Sequence, residues 1–316
     1  MKLLNEIEKL IGNTPTVNIR YCRDDGVSGL VVAKMEWYNL TGSIKDRAAY
    51  YIIKDAYESG LIKPGYTLVE ATSGNMGLSL CVIGKQLGYK VKLFMPKTMS
   101  EERFKIFELL GADVEKTNSL TEAVERAKEY AAYHKDAYWT DQFNNFSNVR
   151  AHMLTTGFEI SEIYDKIKKD NPFATYAFVA GMGSCGTMIG VSKVLPMNIK
   201  RVVAEPANTP IFSVGPEKKG AHAIQGLSNS VISKNFKKED VDIFVPVSDD
   251  DVIAMAKKLN NAGYSVGLSG AANFLAAVLY GANISFTVFP DDHKKYLSTQ
   301  LTQPVGTFLV DGIEIE

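Results

Sequence analysis

The hydrophobic positions along the chain alternate between short apolar runs and longer segments with helical spacing. The short runs, rich in β-branched and aromatic residues, predict strands at 30–35, 67–70, 91–95, 176–180, 201–204 and 284–289. The longer segments predict helices at 46–59, 76–87, 100–110 and 120–133, and Gly60, Gly88 and Gly111 are placed to close helices. This alternation predicts an α/β protein whose parallel sheets carry helices on both faces.

One apolar segment, 262–290, contains no charged residue. Four glycines and two asparagines interrupt it, so it predicts a loop, a buried helix near 271–280 and a strand at 284–289. At the N-terminus, Glu6 comes too early for the apolar core of a signal peptide. We therefore expect a cytoplasmic protein that neither spans nor binds a membrane.

Length and charge narrow the class of protein further. A chain of 316 residues favours two domains, or two lobes around one cleft, and we place the boundary in a loop at 142–148. The 35 Lys and Arg residues nearly balance the 36 Asp and Glu residues, which argues against a nucleic-acid partner. Cys22, Cys81 and Cys185 match neither a disulfide framework nor a zinc site, so we expect no metal and a reducing compartment.

Two glycine loops lie between a predicted strand and a predicted helix, where open α/β sheets bind ligands. The first is Thr72-Ser73-Gly74-Asn75-Met76-Gly77. Its free backbone amides, its two hydroxyls and the helix N-terminus would attract a small anion such as a carboxylate. The same residue types also form an ordinary turn and N-cap, so this loop alone does not establish an anion-binding site.

The second loop, Gly181-Met182-Gly183-Ser184-Cys185-Gly186-Thr187, contains the G-x-G-x-x-G spacing of dinucleotide-binding proteins. Glu205 ends the next predicted strand, roughly where those proteins place an acidic residue. Yet backbone N–H groups and the hydroxyls of Ser184 and Thr187 suit any phosphate monoester. The residues alone leave open an NAD-dependent oxidoreductase and an enzyme with another phosphate-bearing cofactor.

A third segment, 34–47, has the pattern of a strand, a glycine loop and a helix that begins near Ser43. Lys45 would then lie in the first helical turn, where the positive end of the helix dipole disfavours an ammonium group. Burial would depress its pKa further and suit it to Schiff-base chemistry, although most single lysines are solvated surface residues.

Together these segments resemble the cysteine synthase and cystathionine β-synthase family, pyridoxal-phosphate enzymes of fold type II. Residues 39–47 are similar to the family's lysine motif, 72–77 to its substrate-carboxylate loop and 183–187 to its phosphate cup, and 11–15, 142–145 and 296–299 also fit in order. The resemblance implies two open, twisted parallel-sheet domains like those of the tryptophan synthase β-subunit. Residues 38–145 would form the smaller domain and 1–37 with 146–316 the larger, with pyridoxal 5′-phosphate in the cleft between them.

The resemblance also implies a role for each matching residue. Lys45 would form the internal aldimine and then remove the substrate's Cα proton. Asn75 would contact the 3′ oxygen, and Ser269 would face the pyridine nitrogen, where a neutral hydroxyl favours β-elimination over transamination. The implied phosphate contacts are Gly183, Ser184, Cys185, Gly186 and Thr187. The implied substrate contacts are Thr72, Ser73, Met76 and Gln142.

The implied reaction is β-replacement on O-acetylserine or O-phosphoserine through an α-aminoacrylate, with sulfide giving L-cysteine, in a homodimer. Several positions depart from the family pattern: Leu40 replaces a proline, Met76 a threonine and Cys185 a glycine or threonine, and segments 225–229 and 289–295 also differ. Cys185 is most simply a space-filling residue. These departures keep open an amino-acid or other thiol nucleophile, as in siderophore-precursor synthases, cystathionine synthases and cysteine lyases, and also a non-catalytic member of the family.

Overall fold

The strands form two separate sheets. The computed structural model describes residues 2–228, 231–302 and 309–316. The strands are β1 (Thr16–Arg23), β2 (Ser28–Met35), β3 (Thr67–Ala71), β4 (Lys90–Pro96), β5 (Asp113–Thr117), β6 (Ala137–Trp139), β7 (Tyr176–Val179), β8 (Lys200–Pro206), β9 (Ile243–Val247), β10 (Ile284–Phe289) and β11 (Ile313–Ile315). The larger sheet has the order β11-β1-β2-β10-β7-β8-β9, and the smaller has the order β5-β4-β3-β6.

Strand direction differs between the sheets. Every pairing in the smaller sheet is parallel, as is the run from β2 through β10, β7 and β8 to β9. However, β1 pairs antiparallel with both β2 and β11, so the larger sheet, parallel from β2 to β9, ends in an antiparallel edge. The reason is local: the turn between β1 and β2 is too short for the crossover that a parallel pair needs.

The helices are α1 (Lys2–Glu8), α2 (Lys45–Glu58), α3 (Asn75–Gln86), α4 (Glu101–Leu109), α5 (Leu120–Tyr133), α6 (Phe146–His152), α7 (Phe158–Asp170), α8 (Gly186–Ser192), α9 (Asp249–Asn261) and α10 (Leu268–Tyr280). The six strands and five helices that the pattern predicts are all present, with ends shifted by at most three residues. Gly60, Gly88 and Gly111 have positive φ, as helix-closing glycines require. The proposed boundary loop is shorter than predicted, because α6 already begins at Phe146.

The apolar segment 262–290 contributes the buried core of the larger sheet. Helix α10 begins at Leu268, and every residue from there to Val278 is buried. Among the described residues, no helix is both long enough and apolar enough to cross a bilayer. The observed elements are therefore the loop, buried helix and strand that the sequence predicts.

Both faces of each sheet are covered by helices. Side chains of α9 and α10 pack on one face of the larger sheet, and those of α6, α7 and α8 pack on the other. On β8, the neighbouring residues Val202 and Val203 belong to these two different cores, as alternating side chains of a doubly covered strand must. In the smaller sheet, α2, α3 and α4 share one core and α5 covers the opposite face.

A buried ion cluster fixes the start of α2 against the larger sheet. The Arg47 side chain is fully buried and binds both oxygens of Glu36, which follows β2, at 2.7 and 2.8 Å. It also donates to both oxygens of Glu159 on α7, at 2.5 and 2.9 Å. Lys34 on β2 approaches the same Glu159 carboxylate at 2.7 Å. Lys45 lies two residues before Arg47, so this cluster holds Lys45 in place at the start of α2.

We expect Arg47→Met to lower the free energy of unfolding by about 3–5 kcal/mol, because it leaves the buried Glu36 carboxylate without a cation. Urea unfolding followed by circular dichroism measures the change. The matched control is Arg126→Met, since Arg126 pairs with Glu115 on the surface and its loss should cost at most about 1 kcal/mol. Equal losses of unfolding free energy in the two variants would show that the buried cluster stabilises the fold no more than a surface ion pair does.

Candidate active site

The predicted site residues converge at the carboxyl ends of strands from both sheets. One small cavity of about 60 Å³ is lined by Lys45, Thr72, Ser73, Met76 and Gln142. An adjoining cavity of about 70 Å³ is lined by Lys45 and Ser269 together with the whole loop Gly183–Thr187. Asn75 and Ser184 line both cavities. All twelve residues that the sequence singles out therefore lie around one continuous region.

Lys45 is the first residue of α2 and is half-buried where the two cavities meet. The helix begins two residues after the predicted start, and the Ser43 hydroxyl oxygen accepts the Lys45 N–H at 3.3 Å. Burial lowers the pKa of Lys45, although Cys185, Asp291 and Glu70 act in the opposite direction. A larger share of neutral amine makes Lys45 a better nucleophile and a better base than a solvated lysine.

The loop after β3 is held by its own side chains. The Thr72 hydroxyl oxygen accepts the N–H groups of Gly74 at 3.0 Å and Gly77 at 3.3 Å, which leaves its proton free to donate to a ligand. Gln142 joins this loop by donating from Nε2 to the Ala71 carbonyl at 2.9 Å. The loop is therefore a turn held by the Thr72 hydroxyl, although the N-cap residue of α3 is Gly74, which has no side-chain cap, and this turn does not compete with anion binding.

Gly74 allows the close approach of an arginine. Its φ is +156°, and a Cβ at this position would collide with the guanidinium of Arg103 from α4. Arg103 donates to the Ser73 carbonyl and, at 2.5 Å, to Oε1 of Gln225. Gln225 belongs to the segment 225–229 that departs from the family pattern, of which Asn229 lies outside the described residues. Arg103 therefore spans the cleft above the substrate loop.

Glu70 lies beneath the same loop and is fully buried. Its carboxylate accepts hydrogen bonds from Ala71 N–H at 2.8 Å, Gln142 N–H at 3.0 Å and the Thr140 hydroxyl at 2.6 Å. Burial raises the pKa of Glu70 to about 7, although these three donors oppose the shift. The site consequently holds a carboxyl group that titrates near neutrality two residues before the loop Thr72–Gly77 begins.

The loop Gly183–Thr187 has the features of an anion cup. Within the described part of the chain, none of its backbone N–H groups donates a hydrogen bond to another residue. Asn148 supports it by donating from Nδ2 to the Ser184 hydroxyl at 2.9 Å and to the Gln142 carbonyl at 2.8 Å. A Cβ at Gly186 would overlap the side-chain oxygen of Asn148, so that close approach requires glycine.

Cys185 is buried in the cup and takes a left-handed backbone conformation, with φ +65°. For a residue with a side chain this conformation costs about 1–2 kcal/mol. Burial raises the pKa of the Cys185 thiol to about 12. The thiol is therefore protonated and packed in the apolar core, which favours the space-filling interpretation over a reactive one.

A polar network closes the other side of the cavity. Asn75 donates from Nδ2 to the buried Asp291 at 2.7 Å, and its Oδ1 accepts from Lys295 at 3.0 Å. Tyr296 donates to the same Asp291 oxygen at 2.8 Å, while the second oxygen of Asp291 has no partner among the described residues. Burial raises the pKa of Asp291. Asn75 is thereby oriented before any ligand binds.

Sequence reasoning missed Glu70, Arg103, Asp291 and His152 as site residues. Glu70 and Asp291 are acidic residues at or just after the ends of buried strands, a signal that could have found them. His152 is buried, with Nδ1 at 2.9 Å from the Thr156 hydroxyl and Nε2 at 3.3 Å from the Thr187 hydroxyl. Burial holds its pKa well below the usual range, so a neutral imidazole supports the cup. Arg103 carries no comparable signal in the sequence.

Comparison with known proteins then decides the family. The family described as pyridoxal-phosphate dependent enzymes matches residues 7–285. The chain belongs to this family. It is 38% identical over 311 residues to cysteine synthase B of Campylobacter jejuni, which covers 95% of this chain and 99% of the relative.

Solved structures agree with this placement. A hydrogen sulfide-producing enzyme of Fusobacterium nucleatum superposes with a TM-score of 0.93 at 37% identity, over 100% of this chain and 97% of the other. O-ureido-L-serine synthase superposes with a TM-score of 0.83 at 28% identity, over 97% of this chain and 95% of the other. The prediction of pyridoxal-phosphate fold type II is confirmed, and the protein is a cysteine synthase-like enzyme that depends on pyridoxal phosphate.

The residues present fit this cofactor. The cup offers unpaired N–H groups and hydroxyls to a phosphate, and Lys45 lines the same cavity. The nicotinamide alternative loses its support at Glu205, which lines neither cavity and is buried, with its carboxylate accepting the N–H groups of Phe212 at 2.7 Å and Ser213 at 3.3 Å. Among the described residues, no group of three or more His, Cys, Asp or Glu side chains is placed to hold a metal ion.

The raised pKa of Glu70 predicts a specific pH dependence of stability. The folded protein binds this proton more tightly than the unfolded chain, so stability should fall as pH rises from 4.5 to about 7. Relative to Glu70→Gln, the wild type should lose roughly 3 kcal/mol of unfolding free energy across that window. Urea unfolding over a pH series measures it. Glu125→Gln, at an exposed position on α5, should retain the wild-type dependence of unfolding free energy on pH. The same dependence in Glu70→Gln would show that Glu70 is not the group responsible.

Proposed function

We propose that the enzyme replaces the β-substituent of an activated L-serine, O-acetylserine or O-phosphoserine, with sulfide to give L-cysteine. The observation that carries this proposal is the cavity in which Lys45 lies beside Thr72, Ser73 and Gln142. An amine of lowered pKa beside a loop of hydrogen-bond donors suits an α-amino acid as substrate. The donors of the loop can bind its carboxylate, and the amine of Lys45 can reach its Cα proton.

The carboxylate loop would hold and orient the substrate. The free hydroxyl proton of Thr72 and the hydroxyl of Ser73 are donors for the carboxylate, with Gln142 beside them. A carboxylate fixed there orients the Cα–H bond toward Lys45 Nζ, which takes the proton. A positioned base of this kind contributes about 10²–10⁴ in rate.

Pyridoxal phosphate, when bound, supplies an aldehyde that condenses with amines and a ring that withdraws electrons from Cα. Gly183, Ser184, Cys185, Gly186 and Thr187 would hold its phosphate, and Asn75, oriented by Asp291 and Lys295, would donate to its 3′ oxygen. Ser269, buried in the first turn of α10, would face the ring nitrogen. A neutral hydroxyl there favours expulsion of the β-substituent, after which HS⁻ adds to Cβ and a proton returns to Cα.

Borohydride reduction of the holoenzyme tests the attachment site. We expect the reduced cofactor on the peptide that contains Lys45, because this lysine lines both cavities and has a lowered pKa. Peptide mapping by mass spectrometry identifies the labelled residue. Lys45→Ala should give an enzyme without this label and with less than about one hundredth of the activity. A label on Lys295, the neighbouring lysine, would overturn the assignment.

A second candidate is the use of cysteine as donor with release of hydrogen sulfide. The observation that favours it is the TM-score of 0.93 to the hydrogen sulfide-producing enzyme. Addition of O-acetylserine, O-phosphoserine, serine and cysteine one at a time, with measurement of the visible spectrum and of released acetate, phosphate or sulfide, separates the donors. Sulfide release from cysteine without any reaction of the activated serines would favour this second candidate.

A substitution of Met76 tests how the activated serine is bound. This residue is buried in the first turn of α3 and lines the substrate cavity where a hydroxyl is usual in the family. Met76→Thr adds one donor, so the KM for O-acetylserine with sulfide should fall about two- to tenfold. Met197→Thr, at a position 88% exposed, is the control and should leave the KM unchanged. An unchanged KM in Met76→Thr would show that this position does not contribute to carboxylate binding.

We also propose the division into a smaller domain at 38–145 and a larger domain at 1–37 and 146–316. In support, all strands of the smaller sheet fall within 67–139, and all described strands of the larger sheet fall outside 38–145. A homodimer, a cytoplasmic location and a role in cysteine biosynthesis stay predictions.

A further inference from the structure

Glu70 is a buried carboxyl group to which the proposed chemistry gives no role. Its side chain is fully buried, and it lines neither of the two cavities of the site. No side-chain nitrogen of a described Lys, Arg or His residue lies within 4.0 Å of its carboxylate. When Glu70 is ionised, it therefore places a negative charge without an ion-pair partner beneath the loop that would bind a substrate carboxylate.

Hydrogen bonds join Glu70 closely to that loop. The backbone N–H of Gln142 donates to Glu70 at 3.0 Å, and the side chain of Gln142 donates to the Ala71 carbonyl at 2.9 Å. Thr72 follows Glu70 by two residues along the chain. A carboxylate held by Thr72 and Gln142 would thus be separated from Glu70 by a few bonded groups in a buried region, where charges interact more strongly than in water.

The Thr140 hydroxyl allows Glu70 to change its charge without a movement of heavy atoms. Its oxygen lies 2.6 Å from Oε2 of Glu70 and 3.0 Å from the Val69 carbonyl oxygen, but a hydroxyl has one proton to donate. When Glu70 is ionised, Thr140 donates to it, and the Val69 carbonyl still accepts the Thr140 N–H at 3.0 Å. When Glu70 is protonated, its O–H donates to Thr140, whose own proton turns to the Val69 carbonyl. Both states of Glu70 are therefore hydrogen-bonded in the same structure.

The surroundings of Glu70 hold few other charges. The residues on either side of it in β3 pack toward α5, so Glu70 points to the opposite face, toward α2 and α3. The titratable groups that face it are Lys45 on α2, Tyr138 on β6 and Asp141 after β6. Its register partner on β4 is Leu93, and the one charged residue of α3, Lys85, lies near the far end of that helix. Lys45 favours the ionised form of Glu70 and Asp141 favours the neutral form, so these two charges act in opposite directions.

We propose that Glu70 compensates the charge of the bound substrate: it takes up a proton from solvent when a carboxylate binds to Thr72, Ser73 and Gln142, and it releases that proton when the carboxylate leaves. This inference rests on the proposed function in one respect, that this loop binds the carboxylate of the substrate. Glu70 does not line the cavity, so it is a positioning residue that acts through Gln142 and through its own charge.

The proposal implies a linkage between pH and carboxylate binding. The pKa of Glu70 is about 7 without a ligand, and a second negative charge nearby raises it further, because like charges disfavour the ionised form. Below about pH 7 the group is already neutral and binding costs no proton. Above that pH a proton must be taken up, so the affinity for the carboxylate should fall as pH rises.

Calorimetry of the holoenzyme with propanoate measures the proton uptake. Propanoate has a carboxylate but neither an amine nor a leaving group, so it binds without reacting. One pH unit above the pKa of Glu70, titrations in two buffers of different ionisation enthalpy should show that the wild type takes up roughly half a proton or more for each propanoate bound. Glu70→Gln should lose this uptake, and Glu125→Gln, at an exposed position on α5, should keep it.

The affinities distinguish charge compensation from a merely structural role. Glu70→Gln resembles the neutral form of Glu70 at every pH and keeps an acceptor for the Gln142 N–H. It should bind propanoate as tightly as the wild type at about pH 6, and at least about threefold more tightly at about pH 9. If Glu70 only supported the loop, the variant would bind propanoate more weakly at both pH values, and that result would overturn the proposal.

Two further variants should move the pH at which affinity falls, in opposite directions. Asp141→Asn removes a negative neighbour, which lowers the pKa of Glu70 and moves the transition to lower pH. Thr140→Val removes a hydrogen-bond donor to the ionised carboxylate, which raises this pKa and moves the transition to higher pH. Transitions that both stay at the wild-type pH, or that move in the same direction, would show that another group takes up the proton.

These measurements separate the inference from the proposed function, because they do not depend on turnover. Proton uptake that is lost in Glu70→Gln supports the inference even if no activated serine reacts and the proposed function fails. Equal proton uptake in the wild type and in Glu70→Gln overturns the inference, even if O-acetylserine and sulfide give cysteine. The absence of any propanoate binding overturns it as well, since the loop would then not be a carboxylate site.

Discussion

The buried guanidinium of Arg47 is the interaction on which the geometry of the site depends. It joins α2, which packs with the smaller sheet, to Glu36 after β2 and to Glu159 on α7, which pack with the larger sheet. A buried cation tolerates little displacement, because any movement that separates it from its carboxylates exposes an unpaired charge to a low dielectric. The start of α2, and with it Lys45, is therefore held to both halves of the molecule by electrostatics as well as packing.

Around Lys45, buried ionisable side chains determine the charge of the site. Glu70 and Asp291 lie close enough that their ionised forms favour the protonated amine, while burial acts against it. Burial raises the pKa of both carboxyl groups, and raises that of Glu70 to about 7. A site that must accept an anionic cofactor gains from a carboxyl group such as Glu70 that can be neutral near pH 7.

The sequence could predict the parts of this site that depend on local chemistry. Lys45 at a helix start, the hydroxyls of Thr72 and Ser73, and the glycine cup all follow from residues adjacent along the chain. Arg103 could not be assigned, because its role depends on a partner 30 residues away. The pairing of β11 with β1 could not be predicted for a similar reason, because β11 is three residues long and β1 lies at the opposite end of the sequence.

The contact between Asn148 and Gly186 restricts how this protein can change over evolutionary time. Asn148 joins the cup to the carboxylate loop through Ser184 and Gln142, and the space it occupies is the space that any side chain at 186 would need. A substitution at 186 alone creates a clash, and one at 148 alone removes two hydrogen bonds. The two positions, 38 residues apart, should therefore change together among descendants of this sequence or remain fixed together.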